Sequence, residues 1–280
     1  MTAPERTETR QGRYVQANGL DIYYEEHGQG QPLLLIHGGA LTSASWQPYL
    51  PAFAEHYRVI MPDSRGHGRT NNPSGEMSFG LLAEDMVALV HALDLRKPLI
   101  YGYSDGGQVA LEIGMRYPDL AAAIVVGGAH LELTEGSQKW VRSILGDPQS
   151  PDVDIEHFER EYPDFAAMLQ QEHGADNWKT LLKQIKPMWN AHLNYTPEDF
   201  ARVVTPTLVF VGDRDEFVPV EDAVAMYRLL PHAECVVVPG AHGDFIFSPA
   251  KVSLLQPLIL DFLQRHSDSA GEAGLSESPS

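Results

Sequence analysis

Hydrophobic positions along this chain fall into two alternating patterns. Short unbroken apolar runs occur at Leu33–Ile36, Val59–Met61, Leu99–Tyr101, Ala122–Val126, Thr207–Val211 and Cys235–Val238. Each run is bounded by turn-forming residues, the pattern of strands covered on both faces. Between the runs, apolar residues recur at helical spacing: Leu82, Met86, Leu89, Val90 and Leu93; Val109 and Ile113; Ala223, Met226, Tyr227 and Leu230; Leu255, Ile259 and Phe262. Ahead of all of them, Tyr14–Ala17 and Leu20–Glu25 flank Asn18-Gly19, a dipeptide suited to the positive φ angles of a type I′ turn, which predicts a β-hairpin. Strands alternating with helices predict an α/β protein with a mostly parallel sheet flanked by helices.

One stretch departs from the alternation. Residues 131–200 hold no buried-strand pattern but carry many large apolar side chains at helical spacing, including Trp140, Phe158, Trp178, Ile185 and Trp189. They predict a helical insertion lying over the sheet. Most of its aromatics are expected to pack the insertion onto the main domain. A minority, with Trp140 and Trp189 as candidates, are expected to face a substrate cavity. The core is then expected at 13–130 and 201–266. The polar, aperiodic ends, 1–12 and 267–280, are expected to be disordered.

Composition adds limits. The 280 residues are 43% hydrophobic and 21% charged, enough to bury a full core without staples. The formal net charge of -18 repels phosphate backbones and anionic lipid heads, so neither nucleic acid nor a membrane is expected as a partner. The acidity serves solubility in the plainer reading and favours cationic substrates in the sharper one. A single cysteine, Cys235, excludes an intrachain disulfide, and its place at the head of an apolar run reads as a buried strand residue rather than a nucleophile. No apolar stretch reaches bilayer length and residues 1–12 lack the apolar segment of a secretory signal, which together predict a cytoplasmic protein.

The strongest chemical signal is Gly102-Tyr103-Ser104-Asp105-Gly106-Gly107, between the run Leu99–Tyr101 and a helical pattern. Strand, sharp turn and helix are the setting of a G-x-S-x-G nucleophile elbow. Side chains at Gly102 or Gly106 would collide with the neighbouring strand or helix, and the helix aims its first amides at developing negative charge. A serine needs a base. His242 lies in the turn after Cys235–Val238, whereas His130, His157, His173, His192 and His232 lack that late strand-end position. The orienting acid should follow Thr207–Val211, where Asp213 and Asp215 are both candidates; Asp215 sits deeper in the loop and is favoured. His37-Gly38-Gly39-Ala40 follows another strand, and the amides of Gly39 and Asp105 are the expected oxyanion pair, with His37 fixing the loop. No metal or other cofactor is expected.

With these motifs in place, the chain resembles the α/β-hydrolase superfamily over nearly all of Tyr14–Arg265. The likeness includes the Asn-Gly-Leu opening at Asn18–Leu20, the HGG loop at His37–Gly39 and Asp63-Ser64-Arg65-Gly66-His67-Gly68. The resemblance implies an eight-stranded sheet, a helical lid inserted after strand six, a Ser104–Asp215–His242 triad in the family's chain order, and a scaffold role for residues 63–68. Two departures stand out. His242 follows Pro239 one residue sooner than the family's Pro-x-x-Gly-His, and Asp105 stands where many members carry Met, Gln or Leu. The Ser-Asp-Gly-Gly form is similar to valacyclovir hydrolase-like members, which implies Asp105 as a receiver of a substrate amino group. The plainer reading is that Asp105 favours the first turn of its helix. Serine at 104 sets the chain apart from the aspartate-nucleophile epoxide hydrolases and haloalkane dehalogenases. The expected activity is cleavage of a small ester, amide or thioester through an acyl-enzyme on Ser104. C–C hydrolysis, perhydrolysis or acyl transfer on the same triad, and a non-catalytic binding protein of this fold, are the alternatives.

Overall fold

The computed structural model describes residues 12–267. The expectations for 1–12 and 267–280 therefore lie outside the described residues except at Gly12 and Ser267, and Ser267 is tied back by its hydroxyl to the Leu263 carbonyl at 2.7 Å.

Eight strands form one sheet: β1 (Arg13–Ala17), β2 (Leu20–His27), β3 (Pro32–Ile36), β4 (Arg58–Pro62), β5 (Leu99–Tyr103), β6 (Ala123–Gly127), β7 (Thr207–Gly212) and β8 (Ala233–Val238). Their order across the sheet is β1-β2-β4-β3-β5-β6-β7-β8. The β1–β2 and β2–β4 pairs are antiparallel, and every other pair is parallel. Asn18 and Gly19 both take positive φ, 47° and 75°, as the hairpin turn between β1 and β2 requires.

The runs are continuous because both faces are covered. Leu34, Ile36, Ile100, Val126 and Val209 join one core, and Leu33, Leu35, Leu99, Tyr101 and Phe210 join the other. The helices among the described residues are α1 (Leu50–Ala54), α2 (Phe79–Ala92), α3 (Asp105–Arg116), α4 (Glu135–Leu145), α5 (Ile155–Glu161), α6 (Pro163–His173), α7 (Asn177–Trp189), α8 (Pro197–Ala201), α9 (Val220–Leu229), α10 (Asp244–Phe247) and α11 (Pro249–Arg265). Five of these, α4 to α8, occupy the stretch between β6 and β7. The last of them ends at Ala201, one residue past the boundary expected from the sequence, because Thr196 caps it and Phe200 is buried as its anchor.

Two positions differ from the expectation. Cys235 is only half-buried, and its neighbour Val237 is 44% exposed, because β8 is the last strand of the sheet and is covered only in part. Tyr227 is 45% exposed: the buried stripe of α9 runs through Ala223 and Met226 and then to Leu230, leaving residue 227 outside it.

The segment after β4 is scaffold in its contacts. Asp63 accepts the amides of Ser43 and Arg69 at 2.8 and 2.9 Å. Arg65 makes a buried two-pronged pair with Asp85, each contact 2.7 Å, and Asn18 donates to the same carboxylate at 2.7 Å. The hairpin turn, the β4 loop and α2 are thus joined through one acid.

Candidate active site

Because β3 and β5 to β8 run parallel, the loops at their carboxyl ends open on one edge of the sheet. Ser104 lies there between β5 and α3 with φ 55° and ψ −120°, a conformation that a non-glycine residue reaches only at a cost of about 1–3 kcal/mol. The surroundings enforce it. The Ser104 amide donates to the Gly127 carbonyl of β6 at 2.8 Å. A side chain at Gly106 would come within 2.0 Å of the Ile36 carbonyl, and one at Gly102 within 1.9 Å of the Gly106 carbonyl, so α3 can approach the sheet only over glycines.

The three residues expected to act together meet. Ser104 Oγ lies 2.9 Å from His242 Nε2, and His242 Nδ1 lies 2.8 Å from Asp215 Oδ2. A carboxylate only accepts, so Nδ1 carries the imidazole proton and Nε2 is left to accept from the serine hydroxyl. Asp215 is held in turn: its Oδ1 accepts the amides of Phe217 and Val218 at 3.0 and 2.8 Å, and its side chain is fully buried. Asp213 points elsewhere. It accepts the Gly240 amide at 2.8 Å and pairs with Arg214, fastening the β7 loop to the β8 loop. The shortened turn after Pro239 still delivers His242, because the Tyr103 hydroxyl donates to the His242 carbonyl at 2.5 Å and Glu216 accepts its amide at 3.1 Å. Tyr103 and Phe217 also flank the imidazole, with ring centroids 5.3 and 5.1 Å away.

Gly39 and Asp105 lie side by side. A side chain at 39 would fall 2.2 Å from Asp105 Oδ2 and 2.6 Å from the Trp189 ring. Among the described residues neither the Gly39 nor the Asp105 amide has a hydrogen-bond partner. His37 fixes the loop as expected: its Nδ1–H donates to the Gly38 carbonyl at 2.8 Å and its Nε2 accepts the Ser64 amide at 2.9 Å. The Asp105 carboxylate accepts the Trp189 indole N–H at 2.7 Å. Burial raises its pKa from the usual carboxylate range to about 6, against the lowering effects of Trp189 and His242.

These groups face a cavity of about 280 Å³. Its wall is mostly apolar and draws on the inserted helices as well as the core. Trp140 and Trp189 both line it and lie with ring centroids 5.8 Å apart. Sequence reasoning missed several wall residues. Gln108 lies in the helix after the elbow and Phe217 in the loop between β7 and α9, and neither carries a motif. His130, set aside there as a candidate base, follows β6 and lines the cavity; its Nδ1 is buried without a partner, and desolvation lowers its pKa to about 4. Its place at the carboxyl end of a central parallel strand was the signal that could have found it. Among the described residues lining the cavity, Asp105 and Glu216 carry carboxyl groups, and there is no lysine or arginine. No group of three or more His, Cys, Asp or Glu residues is arranged to hold a metal ion among the described residues, and no described helix is long and apolar enough to cross a membrane.

Comparison with known proteins agrees with this architecture. A 2-hydroxy-6-oxo-6-(2'-aminophenyl)hexa-2,4-dienoic acid hydrolase of Metapseudomonas resinovorans is 28% identical over 91% of this chain and 92% of its own. A non-heme chloroperoxidase of Kitasatospora aureofaciens is 26% identical over 89% of this chain and 98% of its own. The structure of an esterase from Exiguobacterium antarcticum superposes with a TM-score of 0.74 at 20% identity, covering 91% of this chain and 100% of that one. The model of the alpha/beta hydrolase family matches residues 33–253, well over half of the chain. The eight-stranded, mostly parallel sheet and this match agree, and the chain belongs to the alpha/beta hydrolase family.

Proposed function

We propose that this chain is a serine hydrolase that cleaves small carboxylic esters through an acyl-enzyme on Ser104. The observation that carries the reading is the unbroken hydrogen-bonded line from Asp215 through His242 to Ser104, ending at a largely apolar cavity. In the first step His242 Nε2 takes the Ser104 proton as Oγ attacks the ester carbonyl carbon. The negative charge that develops on the carbonyl oxygen meets the amides of Gly39 and Asp105. The tetrahedral adduct collapses as His242 returns the proton to the departing alkoxide, leaving the acyl group on Ser104. Water gives a proton to His242 as it attacks the acyl carbon, and the second adduct collapses to the carboxylic acid as His242 returns that proton to Ser104 Oγ. Asp215 orients the imidazole and stabilises its protonated form throughout. Acid–base work of this kind contributes about 10²–10⁴ in rate, and each oxyanion donor about 10²–10³.

Fold alone does not choose the reaction, since the relatives carry the names of a peroxidase, a dienoic acid hydrolase and an esterase. Charge favours the ester reading. An acid such as the one named for the Metapseudomonas enzyme is anionic at neutral pH, and here the wall offers carboxyl groups and no lysine or arginine among the described residues. The same asymmetry supports a second reading, a preference for amine-bearing substrates through Asp105. The inserted helices act as the lid that supplies Trp140 and Trp189 to the substrate. Rates with p-nitrophenyl acetate, butyrate and octanoate test the main reading. Turnover that disappears in Ser104→Ala supports it; turnover retained in that variant, or none with any ester or amide, refutes it.

A further inference from the structure

The loop that carries Gly39 is gripped by histidines. Ala40 takes φ 58°, the left-handed region, without being glycine. Such a residue persists only where its surroundings over-determine it. Both of its backbone polar groups are held by imidazoles. Its amide donates to His67 Nε2 at 3.2 Å, and its carbonyl accepts from His173 Nε2 at 3.0 Å. His67 belongs to the core and is fixed from behind, its Nδ1–H donating to the Arg65 carbonyl at 2.9 Å. His173 does not belong to the core. It is the last residue of α6, in the inserted helices, 133 positions from Ala40.

The other nitrogen of His173 settles its state. Nδ1 accepts the Gly68 amide at 2.8 Å and so carries no proton, leaving the single imidazole proton on Nε2 for Ala40. Burial holds its pKa below the ordinary imidazole value, outweighing the hydrogen bond to Ala40 and the nearby Glu172 and Asp63 carboxylates. One neutral ring thus joins the β3 loop, the β4 loop and the end of α6. The adjacent Glu172 docks the same helix end a second time by accepting the Thr42 hydroxyl.

We propose that His173 is a positioning residue for acyl transfer: by tying α6 to the Ala40 carbonyl it holds the Gly39 amide in its oxyanion-binding direction, so that the donor is set only while the inserted helices are docked. The proposal rests on the serine-hydrolase reading given above. It makes the insertion a part of the catalytic apparatus as well as a wall of the cavity. His173 itself touches neither substrate nor triad.

The test compares the native protein with His173→Phe, which keeps the ring volume and loses both hydrogen bonds, and His173→Gln, which keeps one acceptor and one donor. Butyl ester turnover is measured with the inhibition constant of 1-butaneboronic acid, whose serine adduct places an oxygen in the oxyanion hole. For His173→Phe we expect kcat to fall about tenfold, a fraction of the loss from removing a donor outright, with KM within about twofold. The inhibition constant of the boronic acid rises by the same factor, and His173→Gln recovers most of both. Should His173→Phe not fold, His173→Asn takes its place, since its amide falls short of spanning both loops, and the same pattern is expected. Unchanged kcat and boronate affinity, a loss confined to KM, or a His173→Gln variant as impaired as His173→Phe overturns the proposal. A native protein with no Ser104-dependent turnover overturns the hydrolase reading, and the proposal with it.

Discussion

The Trp189 indole donates a hydrogen bond to the carboxylate of Asp105, the residue immediately after Ser104, at 2.7 Å. One partner ends a helix of the insertion and the other begins the helix that follows Ser104, so the contact joins the cavity roof to its floor. The pair leaves one Asp105 oxygen without a side-chain partner beside the cavity, on a group whose pKa is pushed up to about 6.

A preference for amines through Asp105 should therefore depend on pH. Its ionised form predominates above pH 6, and only that form attracts an ammonium. The kcat/KM ratio of an aminoacyl ester to its deaminated match should rise as pH increases through about 6 and fall again as the substrate's ammonium loses its proton towards about pH 8. In Asp105→Asn the ratio should be flat over the same range. Steady-state rates on the two matched esters from pH 5 to 8 check this; equal loss on both esters in the variant removes amine recognition from the account.

Asp215 orients the imidazole and is itself fixed by two amides. Asp215→Asn should lower kcat by about 10³–10⁴ with KM little changed, because the amide favours the wrong tautomer of His242. Asp213→Asn should leave kcat within about threefold, since that side chain fastens two loops and does not reach His242. Ester turnover by the two variants distinguishes the candidate acids.

At Gly39 a methyl group would fall 2.2 Å from Asp105 Oδ2. Gly39→Ala should fold, since the residue lies at the cavity surface, but with its loop displaced. A shift of this size beside a proposed oxyanion donor should cost about 10–10² in kcat. Single-turnover rates of acylation locate the loss in the chemical step.

Acid should destabilise the fold through its buried imidazoles. His37, His67, His130 and His173 all have pKa values held below the ordinary one by burial, His130 at about 4. Below pH 6.5 the unfolded chain takes up protons at these positions that the native chain refuses. Unfolding free energy therefore falls as pH drops from about 6.5 towards 4, by about 1.4 kcal/mol per pH unit for each unmatched proton. Asp105 works in the opposite direction between the usual carboxylate range and about 6, and the histidines outnumber it. Urea midpoints at pH 7 and pH 5 measure the net effect, and His173→Gln should show a smaller drop than the native protein.

Much of this was legible because it is written locally. Gly102 to Gly107 specify a turn so tight that only glycine backbones clear one another, and neither the strand before it nor the helix after it needs distant information. Asp215 and His242 were legible because each closes a strand run in a parallel sheet. The rest depends on contacts that periodicity does not carry. The half-buried state of Cys235 follows from β8 being an edge, which is a matter of strand order. His173 sits among residues spaced for an amphipathic helix, and nothing in that spacing indicates that its ring reaches Ala40. The polar supports of His242, Tyr103 and Glu216, act through its backbone and leave no motif.

Ser104 should owe its nucleophilicity to His242, and intact-mass and peptide-mapped labelling with a fluorophosphonate reads this out. We expect one adduct per chain, mapped to Ser104, absent in Ser104→Ala and slowed by about 10³ or more in His242→Ala. A native protein that takes no label, or one that labels as fast without His242, would rule out this activation of Ser104.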